Sequence, residues 1–545
     1  MGAFFLVSLC FSEKRIRIEN MPKDKKRKSR NILRPLIKLL FSRVVLVGIL
    51  ILLQIVLIAV WILRFTEHYY ILVSISSVIS FLGACHVIST DFNPGYKIAW
   101  IVVVFLFQPV GVGMYYIFSA NTLSKKVKQT MSRITSITES QKENQSDVLR
   151  ELYAENPDAG RQAAYMDRMS MCPPYRHTES TYYPTGEAFL EALIPELEKA
   201  EHYIFLEYFI IGHGKMWEAI RSVLVQKAAA GVDVRVIYDD FGSITRLSRQ
   251  YPKELQECGI QCHVFHPFVP VLDARQNNRD HRKICVIDGY TAFTGGVNIA
   301  DEYINETHPH GYWKDNAVLV RGEAAWSFTL MFLTMWDYLD KPSARPEENH
   351  YEKYRPTIRR VATGQGIVQP YTDNPLDNEP VGENIYLHML YQATRYVWIT
   401  TPYLIIDEQM KQALCCAAKS GVDVRIITPG IPDKKTINET TKSYYKYLLE
   451  NGVRVYEYTP GFVHAKTFVC DDLYATVGSV NLDFRSLFLH FECGVWMYKA
   501  PVIQDIKTDC QHMLAASREI HLEDCKVPFL RRLYRCILDI IAPML

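Results

Sequence analysis

The sequence has almost no net charge, no cysteine framework and no cluster of cysteines and histidines with zinc-site spacing. Its 545 residues carry 61 Lys and Arg against 59 Asp and Glu, which leaves a formal net charge of +2. A composition of 48% hydrophobic and 22% charged residues excludes both a disordered chain and an all-membrane protein. The length exceeds that of one ordinary domain. We therefore expect a membrane part joined to two globular lobes.

The thirteen cysteines are an odd number and lie scattered through apolar stretches. This distribution does not suit a disulfide framework and favours buried free thiols in a reducing compartment. The run His308-Pro309-His310 offers too few ligands for a metal site. No basic residues precede the apolar residues 1–12, so they do not resemble a signal peptide. We predict no metal and no other cofactor.

Positive charge is concentrated near the start of the chain. Residues 13–43 hold twelve Lys or Arg and three acidic residues, within a basic arm that we place at residues 1–43. Such an arm is a solvated tail, a nucleic-acid-binding arm or a cytoplasmic flank that faces anionic lipid. Its position directly before a hydrophobic run favours the membrane flank. Because the catalytic region is not basic, we do not expect nucleic acid as a partner.

Three hydrophobic runs, at residues 44–63, 70–89 and 98–119, predict an α-helical transmembrane region over residues 44–120. The basic arm and the lysines at 125, 126 and 128 both favour the cytoplasm, yet an odd number of spans puts them on opposite sides. Either one of the three runs does not cross the membrane, or the basic arm lies on the outer side of the membrane. Gln108-Pro109, with Gly111 and Gly113, is a candidate break in the third helix. We expect a multi-pass protein of the cell membrane with cytoplasmic lobes.

A His-x-Lys-x4-Asp motif occurs twice. The two copies are His281, Lys283 and Asp288, and His464, Lys466 and Asp471. A phosphodiester is anionic and repels a nucleophile, so its transfer needs fixed positive charge, an attacking group and a proton donor. A lone His-x-Lys pair is usually an edge strand with a solvated lysine, whereas two complete copies favour one phosphodiester site. In an extended strand the His and the Lys of each copy share a face.

Each copy is followed by a turn of small residues and an asparagine. The first turn is Gly295-Gly296-Val297-Asn298, and the second is Gly478-Ser479-Val480-Asn481. Small residues let the backbone approach a phosphate, and the amide adds a hydrogen-bond donor. We therefore predict that Asn298, Ser479 and Asn481 bind substrate.

The two motifs belong to two halves with the same order of predicted elements. Residues 203–209, a helix and residues 231–238 correspond to residues 396–403, a helix and residues 421–427. The alternation of strands and helices predicts α/β lobes with largely parallel central strands. We place a polar linker with some helix at residues 121–180 and the lobes at residues 181–360 and 361–545. A pseudo-twofold relation between the lobes would bring both motifs to one cleft.

The duplicated motif resembles that of the phospholipase D superfamily, and further features are similar to its bacterial cardiolipin synthase family. These features are the run 278–283 with the turn that follows it, Trp313-Lys314-Asp315, the run 481–486, an apolar N-terminal hairpin and a basic C-terminal segment. The resemblance covers roughly residues 70–545 and implies two phospholipase D-like repeats behind the transmembrane region. Gly296, where the second copy has Ser479, departs from the superfamily pattern and leaves one hydroxyl contact in doubt.

The resemblance also implies a reaction. A phosphatidyl group passes from one phosphatidylglycerol to another through a phosphohistidine, which gives cardiolipin and glycerol. By the usual order of the family, His281 is the nucleophile and His464 the acid and base. The groups expected to hold the phosphoryl oxygens are Lys283, Lys466, Asn298 and Asn481, while Asp288 and Asp471 orient loops or pair with charges across the cleft. Membrane phospholipids are the expected partners, and the oligomeric state is left open.

A carboxylate on the second ring nitrogen orients a catalytic histidine. We expect Glu492 to take this role for His464, and Asp315 for His281. Residues 525–545 form a basic amphipathic segment that either lies on the bilayer surface or caps the second lobe. The alternatives to a synthase are a membrane-anchored hydrolytic phospholipase D or other phosphatidyltransferase, a nuclease of the same superfamily, and a membrane scaffold without activity.

Overall fold

The computed structural model describes residues 68–119, 125–267, 277–340, 351–356, 362–377 and 379–544, together with Leu52, Gln54 and Val56. Three apolar helices come first: α1 (His68–Ile88), α2 (Pro94–Leu106) and α3 (Val110–Phe118). Among the described residues, one helix is long and apolar enough to cross a bilayer, at Tyr70–Ile88. The basic arm and the predicted span at 44–63 lie outside the described residues, apart from the three named.

The third predicted span, at residues 98–119, is not one helix. α2 ends at Leu106 and α3 begins at Val110, so each is too short to cross a bilayer alone. Pro109 lies at the break and has no backbone N–H to continue the helix. Trp100 and Tyr115 pack in a small cluster formed by α1, α2 and α3. The expectation of a third full span is therefore wrong, and two short helices fold back on each other instead.

The segment predicted as a linker contains three helices, α4 (Lys125–Ser140), α5 (Ser146–Glu155) and α6 (Pro157–Met169). Leu152 of α5 and Met166 of α6 are buried in the core of the second lobe. Asn156 caps α6 by accepting hydrogen bonds from the backbone N–H groups of its first turn. The polar composition suggested a tether, whereas the apolar stripe of these helices packs against the lobes.

The first lobe is built on a seven-stranded sheet in the order β1-β9-β7-β6-β2-β3-β4. Its strands are β1 (Thr178–Tyr183), β2 (Tyr203–Tyr208), β3 (Asp233–Asp239), β4 (Gln261–Phe265), β6 (Lys283–Ile287), β7 (Thr291–Gly295) and β9 (Ala317–Gly322), and β5 (Arg279–Asp280) and β8 (Tyr312–Lys314) lie apart from it. Its helices are α7 (Gly186–Glu198), α8 (Lys215–Ala229), α9 (Asp240–Ser243) and α10 (Tyr251–Glu257). A short 3-10 helix occupies Asp301–Ile304.

The second lobe repeats this arrangement in the order β10-β19-β17-β16-β11-β13-β14-β20. Its strands are β10 (Ile367–Asp373), β11 (Tyr396–Thr400), β13 (Asp423–Pro429), β14 (Arg454–Tyr458), β16 (Thr467–Cys470), β17 (Tyr474–Gly478), β19 (His490–Tyr498) and β20 (Ser517–Ile520), with the short β12 (Leu404–Ile405), β15 (Gly461–Val463) and β18 (Leu482–Asp483) outside this path. Its helices are α12 (Val381–Gln392), α13 (Glu408–Lys419), α14 (Lys435–Glu450), α15 (Phe484–Phe488), α16 (Val502–Ala515) and α17 (Phe529–Ile541).

Both sheets are mixed rather than largely parallel. In the first, β2, β3 and β4 run parallel, and the other neighbours are antiparallel. In the second, the parallel strands are β11, β13 and β14. The prediction of parallel central strands is confirmed for the runs from which it was made, β2 with β3 and β11 with β13, and is wrong for the neighbouring motif strands β6 and β16. Their connections, such as the turn from β6 to β7, are too short for the crossover that parallel neighbours need.

The two lobes meet in a shared hydrophobic cluster, besides the core that each has of its own. Helix α11 (Ala325–Leu339) is buried at every residue from Ala325 to Trp336, as its almost wholly apolar sequence requires. It lies in one cluster with Phe205 of the first sheet and Val469 of the second. The motif strands of the two repeats are therefore held in one packed body.

Short strands also exchange between the lobes at the motifs. β5, just before His281, pairs in parallel with the start of β19 in the other lobe. β15, just before His464, pairs in parallel with β8 in the first lobe. The chain that leads into each motif histidine is thus hydrogen-bonded to the opposite repeat.

Candidate active site

The two motif histidines are positioned by the crossed strand pairs. The backbone N–H of His281 donates to Phe491 O at 2.9 Å, and the backbone N–H of His464 donates to Lys314 O at 2.7 Å. Both rings line one cavity of about 670 Å³ between the repeats. The motifs that lie far apart in the sequence therefore meet in one site.

Each histidine contacts the carboxylate that the sequence analysis gave to the other. His281 Nδ1 lies 2.9 and 3.0 Å from the two carboxylate oxygens of Glu492, and His464 Nδ1 lies 2.6 Å from Asp315 Oδ2. The expected pairing, Glu492 with His464 and Asp315 with His281, is corrected. The reason is the strand exchange, because the residue after Phe491 is Glu492 and the residue after Lys314 is Asp315.

The two carboxylates differ in their other partners. The hydroxyls of Ser479 and Ser486 donate to Glu492. Asp315 instead accepts the backbone N–H of Asn316 at 2.9 Å. A Cβ atom on Gly296 would lie 2.0 Å from Asp315 Oδ1, so only glycine fits at that point of the first copy. The Gly296 and Ser479 difference therefore follows from how each repeat holds the carboxylate beside it.

Burial and the motif lysines shift the protonation of both histidines. Burial and the charge of Lys283 hold the pKa of His281 well below its usual range. Burial and Lys466 lower the pKa of His464 to about 4, against the opposing effect of Asp315. With the Nδ1 proton of each ring facing a carboxylate, Nε2 of a neutral ring carries the lone pair.

The pKa values of the two carboxylates move in opposite directions. Burial raises the pKa of Glu492 well above its usual value, although Lys283 and the serine hydroxyls oppose this rise. The pKa of Asp315 is lowered despite burial, because His464 and Lys466 favour its charged form. Asp315 is thus the stronger partner for a protonated imidazole, and Glu492 the weaker.

The motif lysines lie behind the histidines rather than on the cavity wall. Lys283 Nζ donates to His281 O, and Lys466 Nζ donates to His464 O. Both lysines are almost fully buried, with 1% of the surface of each exposed. Burial lowers the pKa of Lys283 to about 8 and that of Lys466 to about 7. They act as buried positive charges that also fix the backbone carbonyl of each histidine.

The predicted substrate-binding residues do not all face the cavity. Asn298 and Asn481 line it. Asn298 also accepts the backbone N–H of Ile210 and donates to the Tyr303 hydroxyl at 2.8 Å, so its amide is held in place. Ser479 has no exposed surface, and its hydroxyl contacts Glu492 instead of the cavity. Ser479 therefore holds an orienting carboxylate rather than a substrate.

The motif aspartates lie away from the site. Asp288 accepts the backbone N–H groups of Glu201, His202 and Tyr203, each at 2.8 Å. Asp471 accepts those at 394, 395 and 396 at the corresponding place in the second repeat. We counted both aspartates with the catalytic residues of the motif, but they orient backbone, as one of their two expected roles had it, and do not pair with charges across the cleft. Each joins the end of a motif strand to the start of the central parallel strand beside it.

Comparison with known proteins agrees with this geometry. The chain matches the family model described as Cardiolipin synthase, PLD-like domain, at residues 193–332 and 386–514. Residues 78–119 match the model described as Phospholipase D-nuclease N-terminal. A cardiolipin synthase of Geobacillus thermodenitrificans is 33% identical over 505 residues, which cover 90% of this chain and 98% of that protein. The chain belongs to the cardiolipin synthase family.

Other relatives place the chain in the same superfamily of enzymes. Cardiolipin synthase 2 of Bacillus anthracis is 32% identical over 476 residues, which cover 86% of this chain and 90% of that protein. An uncharacterized protein of Streptococcus mutans is 42% identical over 450 residues, with 82% and 96% coverage. The crystal structure of a phosphatidylserine synthase from Haemophilus influenzae aligns with a TM-score of 0.53 and 16% identity, over 72% of this chain and 100% of that one. That structure shows a shared fold.

Aromatic rings fix the two histidines of this cardiolipin synthase family member from the side. Phe209 meets His281 edge to face at 5.0 Å between ring centroids, and Tyr303 meets His464 in the same way at 5.4 Å. Neither ring was singled out from the sequence, because an apolar run gives no sign of which of its members borders a site. The aromatics restrict the rings so that Nε2 faces the cavity.

The sequence analysis also missed His490 and the arginines near it. His490 begins β19, two residues before Glu492, and its ring centroid lies 5.5 Å from that of His281. Arg279 and Arg485 also line the cavity. The two arginines lie in the family-like runs 278–283 and 481–486, but sequence alone did not say which side chains face the site. His490 lies in neither run.

One group among the described residues has the spacing of a metal site, namely His281, His490 and Glu492, whose ligand atoms lie within 4.8 Å of one another. His281 Nδ1 already faces Glu492. The pKa of His490 is held well below its usual value by burial and by Arg485, Lys283, Arg279 and Lys434. Those cations repel a divalent metal ion more strongly than a singly charged imidazolium, so the group suits an anion better.

Proposed function

We propose that the protein is a cardiolipin synthase, which transfers the phosphatidyl group of one phosphatidylglycerol to a second and releases glycerol. The supporting observation is the pair of histidines, each held by a carboxylate of the opposite repeat and both facing one cavity. The names of the curated relatives support the same substrate class.

In the first step His281 attacks phosphorus. Its pKa is low, so the ring is neutral and Nε2 is available. The new bond joins Nε2 to phosphorus, and the bond from phosphorus to the glycerol headgroup breaks. His464 gives its proton to the departing glycerol oxygen. The anionic phosphodiester offsets Lys466 and Lys283, so it raises the pKa of His464 when substrate is bound.

The assignment of the two roles rests on the carboxylates. Asp315 keeps its charge and therefore favours a protonated His464, which suits the acid. The burial of Glu492 works against its charge, which leaves His281 neutral and suits the nucleophile. This order agrees with the family resemblance.

In the second step His464 takes the proton of the acceptor hydroxyl. The acceptor oxygen then bonds to phosphorus, and the bond to His281 Nε2 breaks. Lys283, Lys466, Asn298 and Asn481 stabilise the phosphoryl charge in both steps. Water in place of the lipid acceptor would give phosphatidic acid.

The cavity has an apolar end that suits a lipid. Ile405, Ile437, Phe484 and Ala542 line it there. Pro543, the residue after Ala542, would lie 3.2 Å from a Cβ atom on Gly95 at the start of α2. The apolar end of the cavity therefore adjoins the N-terminal apolar helices, and acyl chains can remain near the bilayer while the phosphate reaches the histidines.

We place α1 across the membrane and α2, α3 and α17 at its surface. The lysines at 125, 126 and 128 favour the cytoplasmic side for the lobes. The number of spans then depends on residues 44–63.

The test is to incubate the purified, detergent-solubilised protein with phosphatidylglycerol and chelator, and to resolve the lipid products and the glycerol. Cardiolipin and glycerol in equal amounts, both absent with His281→Ala, are the expected result. Phosphatidic acid alone would indicate a hydrolytic phospholipase D, and no turnover by a folded protein would contradict the proposal.

A further inference from the structure

His490 is a buried imidazole without a hydrogen-bond partner for either ring nitrogen among the described residues. Its side chain retains 11% of its exposure, and it lines the cavity beside His281. Buried polar atoms nearly always have a partner, so an unpartnered pair indicates a water, an ion or a ligand at that place. The proposed transfer chemistry gives this ring no task.

Three cations surround this ring. Arg279 of β5 is the direct register partner of His490 of β19. Arg485 lies in α15, the helix that leads into β19, and Lys434 lines the same cavity from the second lobe. Burial lowers the pKa of His490 most, and the charges of these three residues and of Lys283 lower it further. The ring is therefore neutral, with one nitrogen as a donor, in a positive part of the cavity.

The acids of the cavity wall each have partners of their own. Glu302 forms a pair of hydrogen bonds with Arg246. Asp433 accepts the hydroxyl of Tyr403 at 2.6 Å, and Asp483 caps α15 by accepting the backbone N–H of Ser486. Asp239, behind the wall, lies 3.6 Å from Arg279. These acids reduce the positive charge near His490. Glu492 comes nearest to the ring, with Oε1 3.9 Å from Nδ1, which is beyond hydrogen-bond distance.

We propose that Arg279, Arg485 and His490 form a second anion subsite, which binds the phosphodiester of the acceptor phosphatidylglycerol. The inference rests on the proposed function, because only a lipid acceptor brings a second phosphate into the cavity. Arginine suits a phosphate through paired, charge-assisted N–H donors, and a neutral imidazole adds one more donor.

The subsite explains how a lipid acceptor competes with water. The phosphate of the acceptor is joined to the attacking hydroxyl by its glycerol bridge, so holding that phosphate near His281 places the hydroxyl near the phosphohistidine. The hydroxyl proton passes to His464 as the oxygen–phosphorus bond forms and the bond to His281 Nε2 breaks. Water and free glycerol have no phosphate and gain nothing from the subsite.

The first test is the ratio of cardiolipin to phosphatidic acid made by the full chain in mixed micelles of phosphatidylglycerol. We expect Arg485→Gln and His490→Leu to lower this ratio about tenfold or more, because each removes a donor to the acceptor phosphate. His490→Gln keeps a neutral donor at that place and should restore most of the ratio. Arg454→Gln removes an arginine that pairs with Glu519 on the surface, and it is the matched control. Equal losses of both products at a constant ratio would overturn the subsite.

The second test does not depend on turnover. Short-chain phosphatidylglycerol below its micelle concentration is titrated into His281→Ala protein in a calorimeter. We expect two lipids to bind per chain, and one after the addition of Arg485→Gln. One lipid in both cases would overturn the inference, whether or not the parent makes cardiolipin. The titration is repeated with inorganic phosphate present at the concentration of the lipid. If the second lipid then no longer binds, the subsite belongs to free phosphate rather than to a lipid.

Discussion

His281 and His464 occupy equivalent positions of a repeat, yet their surroundings differ. Two serine hydroxyls donate to the carboxylate beside His281, whereas a backbone N–H serves that purpose beside His464. The sequence repeat therefore places the two imidazoles in different surroundings, and the proposed roles of the two histidines rest on that difference.

A substrate with a good leaving group separates the two roles. With a p-nitrophenyl ester of phosphatidic acid, we expect His464→Ala to release one equivalent of nitrophenol and to hold the phosphohistidine, because that leaving group needs no acid. His281→Ala should release none. Rapid-quench measurement of nitrophenol and of acid-labile phosphoprotein checks this. A burst of nitrophenol from His281→Ala and none from His464→Ala would show that the two roles are reversed.

The crossed carboxylates should matter as much as the histidines. We expect Glu492→Gln to slow formation of the phosphohistidine from phosphatidylglycerol and from the p-nitrophenyl ester. Asp315→Asn should slow its formation from phosphatidylglycerol and its transfer to the acceptor, but not its formation from the ester. We expect each effect to be about two to four orders of magnitude, because an amide does not hold the Nδ1 proton as a carboxylate does. Ser479→Ala should cost about tenfold, since Ser486 still donates to Glu492. Single-turnover rates measure both steps. Equal effects of Glu492→Gln and Asp315→Asn on phosphohistidine formation from the ester would contradict the crossed pairing.

The lowered pKa values of the lysines predict loss of activity on the alkaline side. Lys466 and Lys283 have pKa values of about 7 and about 8, so the free enzyme loses these positive charges as the pH rises through that range. We expect kcat/KM to fall between about pH 7 and 9, and kcat to fall at higher pH because bound phosphodiester favours the charged lysines. A kcat/KM that stays constant over this range would show that the lysines remain charged.

At the scale of elements, each motif strand ends in an aspartate that ties it to the next strand. Asp288 and Asp471 adopt φ values of 51° and 55°, in the left-handed region, directly after β6 and β16. Each accepts three backbone N–H groups at the start of the neighbouring parallel strand. The motif therefore carries its own strand anchor along with its catalytic groups.

Replacing an anchor should reduce stability more than chemistry. We expect Asp288→Ala to lower the free energy of unfolding by about 1–3 kcal/mol, because three backbone N–H groups at the start of β2 lose a charged acceptor. Asp288→Asn keeps one acceptor oxygen and should cost less. Thermal unfolding in detergent measures this, and the rate per folded molecule should stay within about threefold of the parent. A large loss of rate with unchanged stability would return Asp288 to the catalytic set.

At the scale of the molecule, apolar surface gathers on α1, α2 and α17. Phe529 and Leu530 of α17 are 74% and 76% exposed, and Tyr70 of α1 is 74% exposed. Arg531 and Arg535 of α17 pair with Glu439 of α14, which holds the other face of the helix on the second lobe. The amphipathic segment thus both packs on the lobe and leaves an apolar face outward, where it suits a bilayer surface.

Charge on that face should weaken membrane binding. We expect the double substitution Leu533→Glu and Ile537→Glu to lower the binding of detergent-free protein to phosphatidylglycerol vesicles by about tenfold. Turnover on vesicles should fall more than turnover on micelles. Ile244→Glu changes an exposed apolar residue of the first lobe and is the control. Flotation of vesicles measures binding. Equal binding by the double variant and the control would place α17 away from the bilayer.

The local sequence by itself determined the chemical groups of the site and the class of the fold. The motif types and their repeat predicted a phosphodiester site with two histidines, because each chemical role needs a side chain of a particular kind. The alternation of Val and Ile runs with helices predicted two α/β lobes. The carboxylates Asp315 and Glu492 were also named as the orienting groups, although with their histidines exchanged.

Only the tertiary structure decided which groups meet. The pairing of Glu492 with His281 and of Asp315 with His464 depends on strands exchanged between lobes, a long-range contact that leaves no local periodicity. Contacts between residues far apart in the chain also bury Lys283 and Lys466 and place Asp288 away from the site. The same holds for His490, whose ring has no hydrogen-bond partner among the described residues. The sequence therefore determined the chemistry available, and packing between the repeats decided its geometry.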